Sequence, residues 1–236
     1  DLTVTEWEAH HSMPVQEVRL MAQQREGEIV VASGASLMFW NWKVGDESSK
    51  GKQHDGQMRI LNEQPASNKP LQRLVVHTNT MNDIVINSFD VHPYRSSVWV
   101  CACSNGNLSM WDLNVSRHAP IKTLQYSRSP IWKVRFAREE EGLTTVGSVQ
   151  EPWCALYTSH DDGSVLRWEI PRDFSSWAMQ GSTTRSPMTL EYKHELSAVL
   201  DFALCDENGG VQNENTLVLV TEFGDIIGKP LRKSLE

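Results

Sequence analysis

The residues here that could do chemistry are few. His160-Asp161-Asp162 sets an imidazole beside paired carboxylates, and together with His10-His11 it could be drawn as a metal site or an acid–base pair. Cys101 and Cys103 offer two thiols one residue apart, and Ser104 and Ser159 offer hydroxyls. Spacing argues against each. The eight histidines match no structural or catalytic zinc pattern. His92-Pro93 and His160 fall at strand ends beside turns, where hydrogen bonding is the ordinary role. Asp161-Asp162-Gly163 is turn chemistry, since short carboxylates bond their own backbone and glycine accepts positive φ. Neither serine sits in a nucleophile elbow or triad, and no glycine-rich loop could cradle a phosphate. The two cysteines lie inside an apolar run, where a free thiol packs as a small hydrophobe. The expectation is a protein that is not an enzyme, with no catalytic, cofactor-binding or metal-binding residue. No residue is assigned to a protein interface.

The elements that must hold these side chains state one pattern twice. Val98-Trp99-Val100-Cys101-Ala102-Cys103 meets the turn Ser104-Asn105-Gly106-Asn107 and resumes as Leu108-Ser109-Met110-Trp111-Asp112-Leu113. Trp153-Cys154-Ala155-Leu156-Tyr157-Thr158 meets Ser159-His160-Asp161-Asp162-Gly163 and resumes as Ser164-Val165-Leu166-Arg167-Trp168-Glu169-Ile170. β-branched and aromatic runs broken by Asn-Gly or Asp-Gly are hairpins. The first strand of each has no polar alternation and must be buried on both faces. In an antiparallel sheet that requires sheets stacked on sheets, and repetition along the chain points to a radial stack of small blades.

These two hairpins resemble WD40 repeats. The resemblance implies an all-β, WD40-type β-propeller with Trp111 and Trp168 on the third strand of their blades, each indole buried and its N–H satisfied by a small hydrogen-bond network. Trp40 implies the same in a weaker repeat, where Trp40-Asn41 replaces Trp-Asp. Trp7, Trp132 and Trp177 are core residues or interface anchors.

Around the hairpins the chain divides into about four repeats within one domain, 1–236. The first runs from Glu17-Val18-Arg19-Leu20 through Glu28–Ser33 and Ser36–Trp42, with 45–57 a polar loop and Gln57–Glu63 or Pro70–His77 its outer strand. Val15–Arg25 could also be a short helix by propensity. The second begins at Ile86 and ends at Ile121–Tyr126. The third begins at Ile131–Ala137 and ends at Met188–Tyr192, with an insert over 171–187 in which Asp173 could cap a short helix. The fourth, degenerate, uses Val199–Leu204, Thr216–Thr221 and Asp225–Leu231. Leu2–Trp7 alternates as an outer strand does. WD40 propellers usually close at about seven blades, so the resemblance implies the C-terminal part of such a ring, incomplete on its N-terminal side.

With 22 Lys+Arg against 30 Asp+Glu, the net charge of −8 lacks the basic footprint of nucleic-acid or anionic-membrane binding. No apolar run reaches the roughly 18 residues that span a bilayer, so neither direct nucleic-acid contact nor membrane insertion is expected. The cysteine usage suits a reducing compartment. Ser88–Pro93, Leu108–Asp112, Ala119-Pro120-Ile121, Trp132–Phe136 and His160–Trp168 further resemble a WD40 subunit of the nuclear pore's Y-shaped outer-ring complex. That implies a non-catalytic scaffold at the nuclear envelope whose partners are Y-complex nucleoporins. The alternatives are a WD40 adaptor of a ubiquitin-ligase or trafficking complex and a histone-binding propeller, soluble in cytoplasm or nucleus.

Overall fold

A computed structural model describes residues 14–20, 28–41, 72–75, 84–138, 154–170, 188–205 and 216–231. Every regular element among them is a strand. The first sheet holds β1 (Val15–Leu20), β2 (Glu28–Ser33), β3 (Ser36–Asn41) and β4 (Gln72–Val75); the second holds β5 (Ile86–Val91), β6 (Val98–Cys103), β7 (Asn107–Asp112) and β8 (Lys122–Gln125). The third is β9 (Ile131–Arg138), β10 (Cys154–His160), β11 (Ser164–Ile170) and β12 (Met188–Lys193), and the fourth is β13 (Val199–Cys205), β14 (Thr216–Thr221) and β15 (Ile226–Pro230). Each sheet is an antiparallel meander whose spatial order is its chain order. The first strands of successive sheets pack on one another, β1 on β5, β5 on β9 and β9 on β13. This is a radial stack of blades, the all-β propeller class that the repeats imply.

The missing alternation in the second strands has its cause here. Val98, Val100 and Ala102 of β6 pack toward the third blade, while Trp99, Cys101 and Cys103 pack toward the first. In β10, Leu156 joins the core shared with the second blade, whereas Ala155 and Tyr157 join the one shared with the fourth. A strand between two inter-blade cores has no wet face. The outer strand β8 does alternate, with Leu124 buried and Thr123 exposed.

Propensity leaves β1 open between helix and strand, and the structure makes Val15–Leu20 a strand paired with β2. Pairing with β2 and setting Glu17 and Arg19 together on the face that meets the second blade outweighs a helix propensity of a few tenths of a kcal/mol per residue. The first blade's outer strand is Gln72–Val75, the second of the two segments considered. The stretches 45–57 and 171–187, Asp173, Leu2–Trp7, His10-His11 and Trp177 lie outside the described residues.

Two hairpin glycines are fixed by more than their turns. Gly106 (φ 79°) and Gly163 (φ 81°) lie against the loop leading to the next blade, and a Cβ would come within 2.3 Å of the Ser127 carbonyl oxygen or 2.4 Å of that of His194. The turn and the inter-blade loop are thus locked together, which fixes the angle at which one blade hands over to the next.

Candidate functional site

Each inner strand carries a register irregularity at the same step, at Gln16 in β1, Asn87 in β5, Trp132 in β9 and Leu200 in β13. A bulge re-aims the residues after it. The positions that follow form two layers around the stack's inner side: Glu17, Ser88, Lys133 and Asp201, then Arg19, Asp90, Arg135 and Ala203. Most of their contacts run between blades. Glu17 Oε1 meets Arg19 at 3.0 Å, Lys133 at 3.3 Å and Arg135 at 3.5 Å, and Asp90 Oδ1 meets Arg19 at 2.6 Å. Lys133 also lies 3.7 Å from Asp201 of the fourth blade. Arg19 is stacked 5.0 Å above the Phe89 ring.

These side chains also solve a backbone problem. An inner strand is a sheet edge whose outward N–H groups have no ladder partner. The Phe89 N–H donates to Glu17 Oε2 at 2.9 Å, the Phe136 N–H to Asp90 Oδ2 at 2.7 Å and the Val134 N–H to Ser88 Oγ at 3.4 Å. The Asn87 side-chain amide donates to the Ile131 carbonyl at 2.9 Å. In every case one blade caps the edge of the next. Burial pushes the Asp90 carboxyl above its ordinary range, with Arg19 and the Phe136 amide pulling the other way.

In the third blade a polar relay fills the core. Trp168 Nε1–H donates to Thr158 Oγ1 at 2.9 Å, and Thr158 Oγ1 lies 2.9 Å from His160 Nε2. An indole can only donate. The Thr158 hydroxyl has one proton and a second acceptor site, so it donates to Nε2 or accepts from it according to the tautomer, and the other ring nitrogen, Nδ1, is buried with no partner. Burial lowers the His160 pKa to about 4, with Asp162 opposing and Lys193 adding to the effect.

The second blade repeats this geometry with different atoms. Trp111 stands where Trp168 does, but Cys101 and Cys103 stand where Thr158 and His160 do. The Trp111 indole is buried as expected, but its N–H has no partner, contrary to the expectation of a satisfied N–H. A thiol is a weak acceptor and a weak donor, so the C-x-C pair is an apolar replacement for the Thr-x-His relay. Both cysteines are free and buried, and burial raises the Cys101 thiol well above its ordinary pKa and Cys103 to about 12. Such thiols do not ionise at neutral pH.

The remaining candidates hold turns. Asp162 Oδ1 accepts the Ser164 N–H at 3.0 Å and its other oxygen meets Lys193 at 3.2 Å; partial burial opposes the charge, but these bonds hold the carboxyl below its usual pKa. Asp161 accepts the half-buried Trp132 indole N–H at 3.0 Å, and Ser104 Oγ accepts the Val85 N–H at 3.0 Å. Ser159 Oγ is buried without a partner, and His92 Nδ1 lies 3.2 Å from the Tyr94 amide. Among the described residues no three His, Cys, Asp or Glu side chains are grouped so as to hold a metal, and no helix is long and apolar enough to cross a membrane. The axial layers were not legible as a site because Glu17, Asp90, Lys133 and Arg135 are spread over three repeats; the signal available was a charged residue one or three positions after each bulge.

No family model and no curated protein matches the sequence. Among solved structures the chain is similar to Sqt1 of Chaetomium thermophilum, solved bound to the N-terminus of the ribosomal protein L10, with a TM-score of 0.48 and 14% identity over 87% of this chain. The chain spans 41% of the length of that protein.

Proposed function

We propose that the protein is a non-catalytic interaction scaffold, a structural WD40 subunit of the nuclear pore's outer-ring Y-complex resembling nucleoporin forty-three. One observation supports the scaffold reading above all. The charged groups along the inner strands are turned on one another, mostly across blades, with Glu17 and Asp90 engaged by cations and backbone N–H groups. The nuclear-pore assignment draws on the sequence likeness from Ser88 to Trp168. An acidic channel gripping a histone tail is disfavoured, because the linked axial cluster already balances its three carboxylates, Glu17, Asp90 and Asp201, with three cations, Arg19, Lys133 and Arg135.

The whole protein, tagged, is expected at the nuclear rim in interphase and should recover outer-ring nucleoporins at both low and raised salt. An interface centred on buried apolar anchors is screened little, whereas capture of a basic tail weakens as charges are screened. Recovery of cullin-ligase or trafficking subunits, of histones at low salt only, or a diffuse cytoplasmic signal without nucleoporins would overturn the assignment.

A further inference from the structure

The equivalent turns of the second, third and fourth blades are superposable residue by residue. The Gly106, Gly163 and Gly224 N–H groups donate to Cys103, His160 and Thr221 carbonyls, and the Ser104, Asp161 and Glu222 N–H groups donate to Val85, Pro130 and Ala198 carbonyls, where each blade's inner strand begins. In the first two turns the residue before glycine is Asn105 or Asp162, whose side chain accepts the N–H two residues on, at 3.1 and 3.0 Å. In the fourth blade that residue is Phe223, 69% exposed, and the turn is held instead by Thr221 Oγ1 accepting the Asp225 N–H at 3.2 Å. Two residues before the paired inner-strand start, where the third blade has Arg128, the fourth has Leu196, 82% exposed. Arg128 and Asp162 have become Leu196 and Phe223.

The surroundings indicate what would cover this apolar pair. Glu195, Glu222 and Asp225 are exposed beside it and have no cation partner among the described residues. Lys193, at the end of β12, is held by Asp162 through its carboxylate at 3.2 Å and through its carbonyl oxygen.

We infer that the Leu196–Phe223 rim of the fourth blade is a docking surface for a cationic, amphipathic peptide segment of a partner protein. Apolar side chains of the segment cover Leu196 and Phe223, and its Lys or Arg side chains meet Glu195, Glu222 and Asp225. The inference rests on the scaffold reading, but not on the nuclear-pore assignment.

The test is fluorescence anisotropy on the full chain with two labelled decapeptides, one alternating Lys with Leu and Phe, the other with Glu in place of Lys. The Lys peptide should bind and the Glu peptide should not. Phe223→Asn restores the Asn-Gly turn of the second blade, so it should melt no lower than the parent while weakening the Lys peptide at least roughly ten-fold, the scale of a lost aromatic anchor. Leu196→Ser should weaken it similarly, and the double change Glu195→Gln with Glu222→Gln by about a few-fold. Undiminished binding to Phe223→Asn, or equal binding of the two peptides, would overturn the inference. A flat titration alongside recovery of partner proteins by the tagged chain would sink this surface alone, whereas failure of that recovery sinks the scaffold reading.

Discussion

Trp168→Ala is expected to destabilise the protein by about 3–5 kcal/mol, the cost of emptying an aromatic core site. The indole lies between the second and third blades with Val98, Val100, Leu156 and Leu166, so the void would open at a blade interface and not within one sheet. It would also take away the donor to Thr158 Oγ1. The matching change Trp111→Ala should empty a comparable volume without breaking a hydrogen bond, since that N–H has no partner. Urea unfolding of parent and variants measures the cost directly. An unchanged midpoint for Trp168→Ala would mean that β11 is in another register.

Acid should weaken the fold through His160. Its pKa is about 4 in the folded protein, whereas an unfolded histidine titrates near 6.5. Between those values the unfolded chain binds a proton that the folded chain refuses, so stability is full above about pH 6.5 and falls as the pH drops toward 4. The shift corresponds to about 3 kcal/mol at the lower end. The neighbours act in known directions: Asp162, held below its usual range, loses its contribution only at more acid pH, and Asp90, raised by burial, acts in the opposite sense. In His160→Gln the decline between pH 6.5 and 4 should disappear, leaving a flatter profile. A variant that keeps the parent's slope would show that another group titrates there.

The sequence carries the hairpins because their instructions are local. The continuous apolar run Val98–Cys103, the Asn105-Gly106 and Asp162-Gly163 turns and the third-strand Trp111 and Trp168 each state a strand, a turn or a buried position within a few residues. What joins the blades is not local. Glu17 and Lys133 are separated by 116 residues, and neither differs in type or neighbourhood from an ordinary surface charge. The partner of the Trp111 N–H was misjudged for a related reason. Cys101-Ala102-Cys103 and Thr158-Ser159-His160 occupy one place in two blades, but thiols read as core and Thr-x-His reads as a turn edge, so the substitution is visible only once the strands are superposed. Phe223 is hard to read for a like reason: an apolar residue stands where the repeat calls for a turn former.

The four blades are arranged about a common inner side and bound to one another by Glu17, Asp90 and their cations. The most direct measurement is zero-length carbodiimide cross-linking of the native protein, followed by mass spectrometry of its peptides. Lys193 and Asp162, 3.2 Å apart within the third blade, supply an internal control. The expected result is an amide between Glu17 and Lys133, 3.3 Å apart across two blade boundaries, absent in Lys133→Met. Recovery of the Asp162–Lys193 product without any Glu17–Lys133 product would contradict the radial arrangement.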